Sequence, residues 1–150
     1  MDIQRVIKEV EDSSFNAPRI FSSLLNKKDA FTADCEILGA VYFSREYYSD
    51  QKQPPNISFR AKLLLATSQG VLYTEEGIDK ICEDNCGYNF KYIPFHKITY
   101  LEMDVCMLLG ILKISSGSGS ESEINFRFGT AQYQDAILEF VDVVRNQLKG

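Results

Sequence analysis

The chain has 150 residues, 45% of them hydrophobic, with a formal net charge of −5 and a sequence pI near 4.9. That length supports one well-buried core and is short for two. The acidic balance excludes a general pull toward nucleic acid and disfavours, without forbidding, an anionic membrane surface, because either would need a local basic patch.

The longest apolar candidate, Val105 to Leu112, falls far short of the roughly 20 apolar residues of a membrane-spanning helix. Met1-Asp2-Ile3-Gln4-Arg5 does not open a secretory signal, so a soluble, cytoplasmic protein is expected. Cys35, Cys82, Cys86 and Cys106 are then expected to be reduced thiols. His96 is the sole histidine and no second paired Cys or His motif accompanies Cys82 and Cys86, so the expectation is no metal site and no cofactor.

Asp2 to Glu11 carries Ile3, Val6, Ile7 and Val10 at the spacing of one helix face, with Asp2 placed to cap it. Asn16-Ala17-Pro18 resembles a second helix start with proline in the first turn, and Phe21, Leu24 and Leu25 would face inward. Residues 1–30 are thus expected to form a helical appendage, packed on the domain or on a partner, and residues 31–150 the main domain.

From Cys35 the period becomes two. Strands are expected at Cys35–Phe43, Ile57–Leu65, Val71–Thr74, Tyr88–Tyr92, Ile98–Met103, Leu108–Ser115 and Ile124–Phe128. Ser44 to Asn56 has the composition of a polar loop, since Pro54-Pro55 cannot continue a central strand. Ile57, Phe59, Ala61, Leu63 and Leu65 alternate with Ser58, Arg60 and Lys62, which predicts a strand wet on one face. Thr67-Ser68-Gln69-Gly70 is a tight turn. Glu75-Glu76 and Glu83-Asp84 are expected to be solvated, in an acidic connection running to Gly87.

The last segment, Thr130 to Leu148, is an amphipathic helix. Tyr133, Ile137, Phe140, Val141, Val144 and Leu148 fall on one stripe, with Thr130 as the expected N-cap. Seven antiparallel strands at hairpin spacing followed by one helix predict a barrel or sandwich whose open end the helix covers.

The string Leu63-Leu64-Leu65-Ala66-Thr67 through Val71-Leu72-Tyr73, then Tyr92-Ile93-Pro94-Phe95-His96-Lys97-Ile98, Gly110 to Ile114 and Glu123 to Phe128, resembles bacterial pleckstrin-homology-like domains and the related GRAM-type modules. The likeness covers about Asp34 to Leu148. It implies a mainly β (α+β overall) fold: a seven-stranded antiparallel barrel capped by a C-terminal helix, with one or two N-terminal helices added. It also implies a binding or self-assembly platform and not an enzyme, with a homo-oligomer plausible because some bacterial members form rings.

Relatives that bind phosphoinositides use basic residues of the first two strands and their loop. Lys52, Arg60 and Lys62 fall in the corresponding place, with Arg45 and Lys52 diluted by Glu46 and Asp50. Tyr47-Tyr48 is the favoured surface for a protein partner, because tyrosines supply contact area at low entropy cost. Ser115 to Ser120 lacks the lysine and following helix of a phosphate cradle and is expected to be a hairpin loop. His96 is expected to be an exposed turn residue, not a general base. The expectation is a non-enzymatic module for self-association or protein contact, with headgroup binding through the first hairpin as the alternative.

Overall fold

The apolar run Leu63-Leu64-Leu65-Ala66 lies at the centre of the molecule and is fully buried on both faces. The computed structural model describes residues 2–13, 17–47, 57–77, 87–117 and 123–150. In chain order these form α1 (Ile3–Asp12), α2 (Arg19–Leu25), β1 (Ile37–Phe43), β2 (Glu46–Tyr47), β3 (Ile57–Phe59), β4 (Lys62–Thr67), β5 (Gly70–Glu76) and β6 (Tyr88–Pro94). A 3₁₀ turn at Phe95–Lys97, β7 (Tyr100–Cys106), β8 (Leu109–Ser115), β9 (Ile124–Gly129) and α3 (Thr130–Lys149) complete the order.

The protein is α+β, and every strand pair is antiparallel. One sheet runs β1-β4-β5-β6, a second β7-β8-β9, and a short ribbon pairs β2 with β3. The expected seven-stranded closed barrel is therefore not what forms: the described residues hold nine strands in three sheets, and no strand pairing among them closes a ring. Two of the additional boundaries have one physical cause. The path from β1 to β2 breaks at Ser44-Arg45 and that from β3 to β4 at Arg60-Ala61, where a buried Arg45–Glu76 pair takes up hydrogen-bonding groups. Glu46-Tyr47, expected in a loop, is the strand β2.

Alternation sorts the central strands into two cores. Leu64, Ala66, Val71 and Tyr73 point toward the second sheet, where they meet Leu112, Ile114, Ile124, Phe126 and Phe128. Leu63, Leu65 and Leu72 point the other way, onto Val6 and Val10 of α1 and Phe21, Leu24 and Leu25 of α2. The second sheet and α3 thus cover the face of β4 that the sequence pattern assigns to water, that of Leu64 and Ala66, while the N-terminal helices cover the face expected to be dry; Lys62 itself is only 5% exposed. Asp2 caps α1 as expected, its Oδ1 accepting the Arg5 N–H at 3.1 Å. In α2, Pro18 is the N-cap, with extended backbone, one position earlier than the first turn. Asn16 lies outside the described residues.

α3 seats Ile137, Phe140 and Val144 in the core between the two sheets. Two features of its expected stripe differ. Leu148 is 42% exposed, because the helix outruns the sheets it lies on. Thr130 does not cap: Gly129 occupies the N-cap, and the Thr130 hydroxyl donates to the Met107 carbonyl at 2.8 Å, tying the helix start to the β7–β8 turn.

The β4–β5 turn is organised by Thr67, whose Oγ1 accepts the N–H groups of Gln69 and Gly70 at 3.1 Å and donates to the Gly70 carbonyl at 3.0 Å. Gly70 has no room for a side chain: a Cβ there would overlap the Ile93 carbonyl oxygen and lie 2.8 Å from Pro94 Cα. Since those atoms belong to the backbone of the neighbouring strand, Gly70→Ala is expected to cost about 1–3 kcal/mol of folding stability in urea denaturation.

Candidate functional site

Glu76 ends β5 in phase with Leu72 and Thr74, both fully buried, and its side chain is itself 0% exposed. A carboxylate buried so completely requires charge and hydrogen-bond compensation. Arg45 supplies it as a fork: Nε donates to Oε1 at 2.8 Å and Nη2 to Oε2 at 2.6 Å, while the Ala61 N–H donates to Oε1 at 2.8 Å. The bond to Glu76 holds the Arg45 guanidinium firmly protonated. The remaining Nη1 donates to the Tyr47 hydroxyl at 3.2 Å. Glu76, expected to be solvated, is thus the anchor of the β2–β3 ribbon. Arg45 faces into the protein and Tyr47 is partly held by it. Tyr48 and Lys52 lie outside the described residues, as do Cys82 and Cys86.

At the foot of that ribbon a cleft of about 610 Å³ opens between β3–β5 and β8–β9. It brings together Arg60 and Lys62, as expected from the strand spacing, and adds Arg127 and Asn125 from β9 and Glu75 from β5. The cations are unequal. Arg60 is paired with Glu75 at 3.8 Å on the surface. Lys62 lies 5.5 Å over the Phe59 ring and donates to the Arg60 carbonyl at 3.0 Å. Arg127 alternates with buried Phe126 and Phe128 and is exposed. The cleft offers a small excess of positive charge that an anion could meet, although Lys62 points much of its donor capacity inward.

Burial lowers the Lys62 pKa, with the charge of Glu75 opposing that shift. A base whose pKa is depressed by folding binds its proton more weakly in the folded than in the unfolded state. Stability from this group is therefore least at neutral pH and rises as the pH climbs from the depressed value to the ordinary lysine range. Lys62→Met, which keeps the stem and removes the charge, should melt higher than the parent at neutral pH, and the two melting curves should converge as the pH approaches the ordinary lysine value.

The second feature is aromatic. Tyr88, Phe90 and Tyr92 project from β6 on the side of α2, Tyr88 being 48% and Tyr92 37% exposed. Phe31, 56% exposed in the turn after α2, packs against Phe90 with ring centroids 4.4 Å apart and the rings tilted by 39°. A row of four rings on one face is a larger apolar surface than scattered single residues, and such rings dominate protein contact energies. No protein-family model, curated protein or solved structure matches this chain.

The sequence pattern marks Tyr88, Phe90 and Tyr92 as alternating strand residues but not as a surface, because the exposure of Tyr88 and Tyr92 goes with β6 being an edge strand, which local pattern does not show. Phe31 carries no periodic signal at all. For Glu76 a signal exists: it continues the buried phase of Leu72 and Thr74. His96 is exposed on the 3₁₀ turn, as expected. Among the described residues no helix is long and apolar enough to cross a membrane.

Proposed function

We propose that this chain is a non-enzymatic, pleckstrin-homology-like interaction module, and that its contact surface is the aromatic row of Phe31, Tyr88, Phe90 and Tyr92. The exposure of Phe31, Tyr88 and Tyr92 around the half-buried Phe90, along one sheet edge, is the observation that carries the reading. The resemblance to the family is supported by the order of elements: counting each path interrupted at the Arg45–Glu76 pair as one bent strand leaves seven strands and then a terminal helix. The single imidazole, His96, stands on an exposed turn away from the cleft, which agrees with a binding role rather than proton transfer.

A second reading rests on the cleft, where Arg127 joins Arg60 and Lys62 as a receptor for a phosphate-bearing headgroup. Light scattering over a range of protein concentration, with sedimentation against phosphatidylserine vesicles, separates the two. Scattering masses above the 17.1 kDa of one chain, without vesicle binding, support protein contact. A monomer that binds vesicles in a salt-sensitive manner, and loses that binding in Arg60→Ala/Arg127→Ala, overturns it in favour of the headgroup.

A further inference from the structure

The rows of N–H and C=O groups along β6 alternate in direction, and two hydrogen bonds fix which residues point where. Gly77 N–H donates to the Gly87 carbonyl at 2.7 Å and Phe95 N–H to the Gln69 carbonyl at 3.2 Å, at the two ends of a register that pairs Val71 with Ile93, Tyr73 with Lys91 and Glu75 with Asn89. In an antiparallel ladder bonded pairs alternate with unbonded ones. Asn89, Lys91 and Ile93 therefore bond to β5, and Tyr88, Phe90 and Tyr92 turn their backbone groups outward. Among the described residues no strand pairs with that outer edge.

We propose that a second copy of this chain does so. The two β6 strands would run antiparallel about a two-fold axis at Phe90 and join the four-stranded sheets into one continuous sheet. This rests on the interaction-module reading above and names its partner.

The strand is self-complementary, as a two-fold interface demands of a single patch. Tyr88-Asn89-Phe90-Lys91-Tyr92 has nearly the same order of side-chain types in both directions. Antiparallel pairing about its centre sets Phe90 against Phe90 of the second copy and each Tyr88 against a Tyr92. All of these residues present outward backbone groups, so three pairs with two hydrogen bonds each close the edge. On the same face the rings of both copies, with Phe31 of each, form one aromatic cluster.

The opposite face has no like-charge conflict, because each Lys91 meets an Asn89 and its Nζ already donates to the Glu123 carbonyl. Pro94, the next outward position, has no N–H, so sliding the pairing toward the C-terminus forfeits a bond and the central register is preferred. Two other edge strands, β1 and β7, differ. β1 is packed between α1 and α3. In β7 the same operation about Met103 would set the exposed Glu102 against Asp104.

The register supplies its own test. Because residue 88 faces residue 92 of the other copy, Tyr88→Lys/Tyr92→Lys places lysine against lysine at both pairs, whereas Tyr88→Glu/Tyr92→Lys places glutamate against lysine. Both substituted positions are exposed, and circular dichroism checks that both variants fold. The parent is expected to sediment as a dimer of the 17.1 kDa chain. The Glu/Lys variant should dimerise more tightly than the Lys/Lys variant by roughly tenfold or more at low salt. Indistinguishable variants beside a dimeric parent overturn the β6 pairing while leaving the interaction-module reading in place, since the chain then associates through another face. A parent that stays monomeric throughout also overturns the pairing, and only vesicle binding by that monomer counts against the reading beneath it.

Discussion

Glu76→Leu is expected to destabilise the fold by about 3–5 kcal/mol, because it leaves the Arg45 guanidinium buried without its counter-charge. The Arg45 and Glu76 side chains are 6% and 0% exposed, so water cannot take over the vacated hydrogen bonds. Ala61 N–H loses its acceptor as well, at the point where β3 passes into β4. Arg45→Met should cost a similar amount from the other side. The informative variant is Arg45→Met/Glu76→Leu. Replacing both charges by apolar groups removes the desolvation cost of each, so the double variant should recover most of the stability lost by either single one. Urea denaturation of the four proteins measures the coupling, and simple additivity of the two single effects would show that the pair does not act as a unit.

The second large effect concerns the terminal helix. Phe140 is fully buried where α3 meets both sheets, with Ile137 one turn before it and Val144 one turn after. Phe140→Ala should therefore lower stability by about 3–5 kcal/mol, combining lost transfer free energy with a cavity that the flanking β-sheets cannot collapse to fill. Leu148→Ala, on the same predicted stripe but 42% exposed, should stay within about 0.5 kcal/mol of the parent. Guanidinium denaturation compares them. Equal losses would mean that the whole stripe is seated and that the helix does not outrun the sheets.

Much of this architecture is legible in local pattern. The spacing of Ile3, Val6, Ile7 and Val10 yields α1 and its cap at Asp2. Strands at each of the expected positions, the turn at Thr67 to Gly70 and the terminal helix follow from period two, turn chemistry and period 3.6. These signals are local because they arise from backbone geometry and from a demand that each element bury one face. Where an element buries two faces the pattern misleads. In β4 the run Leu63-Leu64-Leu65-Ala66 serves two cores, and Lys62 is carried into the covered region beside it.

The candidate surfaces were less legible. Arg60 and Lys62 do share a cleft, but Arg127 joins them from a strand more than sixty residues away, through the packing of one sheet on the other. Arg45 had the appearance of a diluted surface cation and Glu76 of a solvated acid. Their pairing across 31 positions is a property of the fold, and beside it the expected strand Ile57–Leu65 divides into β3 and β4 while β2 forms where a loop was expected. From the sequence alone came the secondary elements, the antiparallel hairpins and the apolar stripe of the last helix, all consequences of which side chains recur at helical or strand spacing. Only the tertiary structure decided which strand faces are dry, which edge of a sheet is left unpaired and which charges meet, because burial and pairing depend on what arrives from distant parts of the chain.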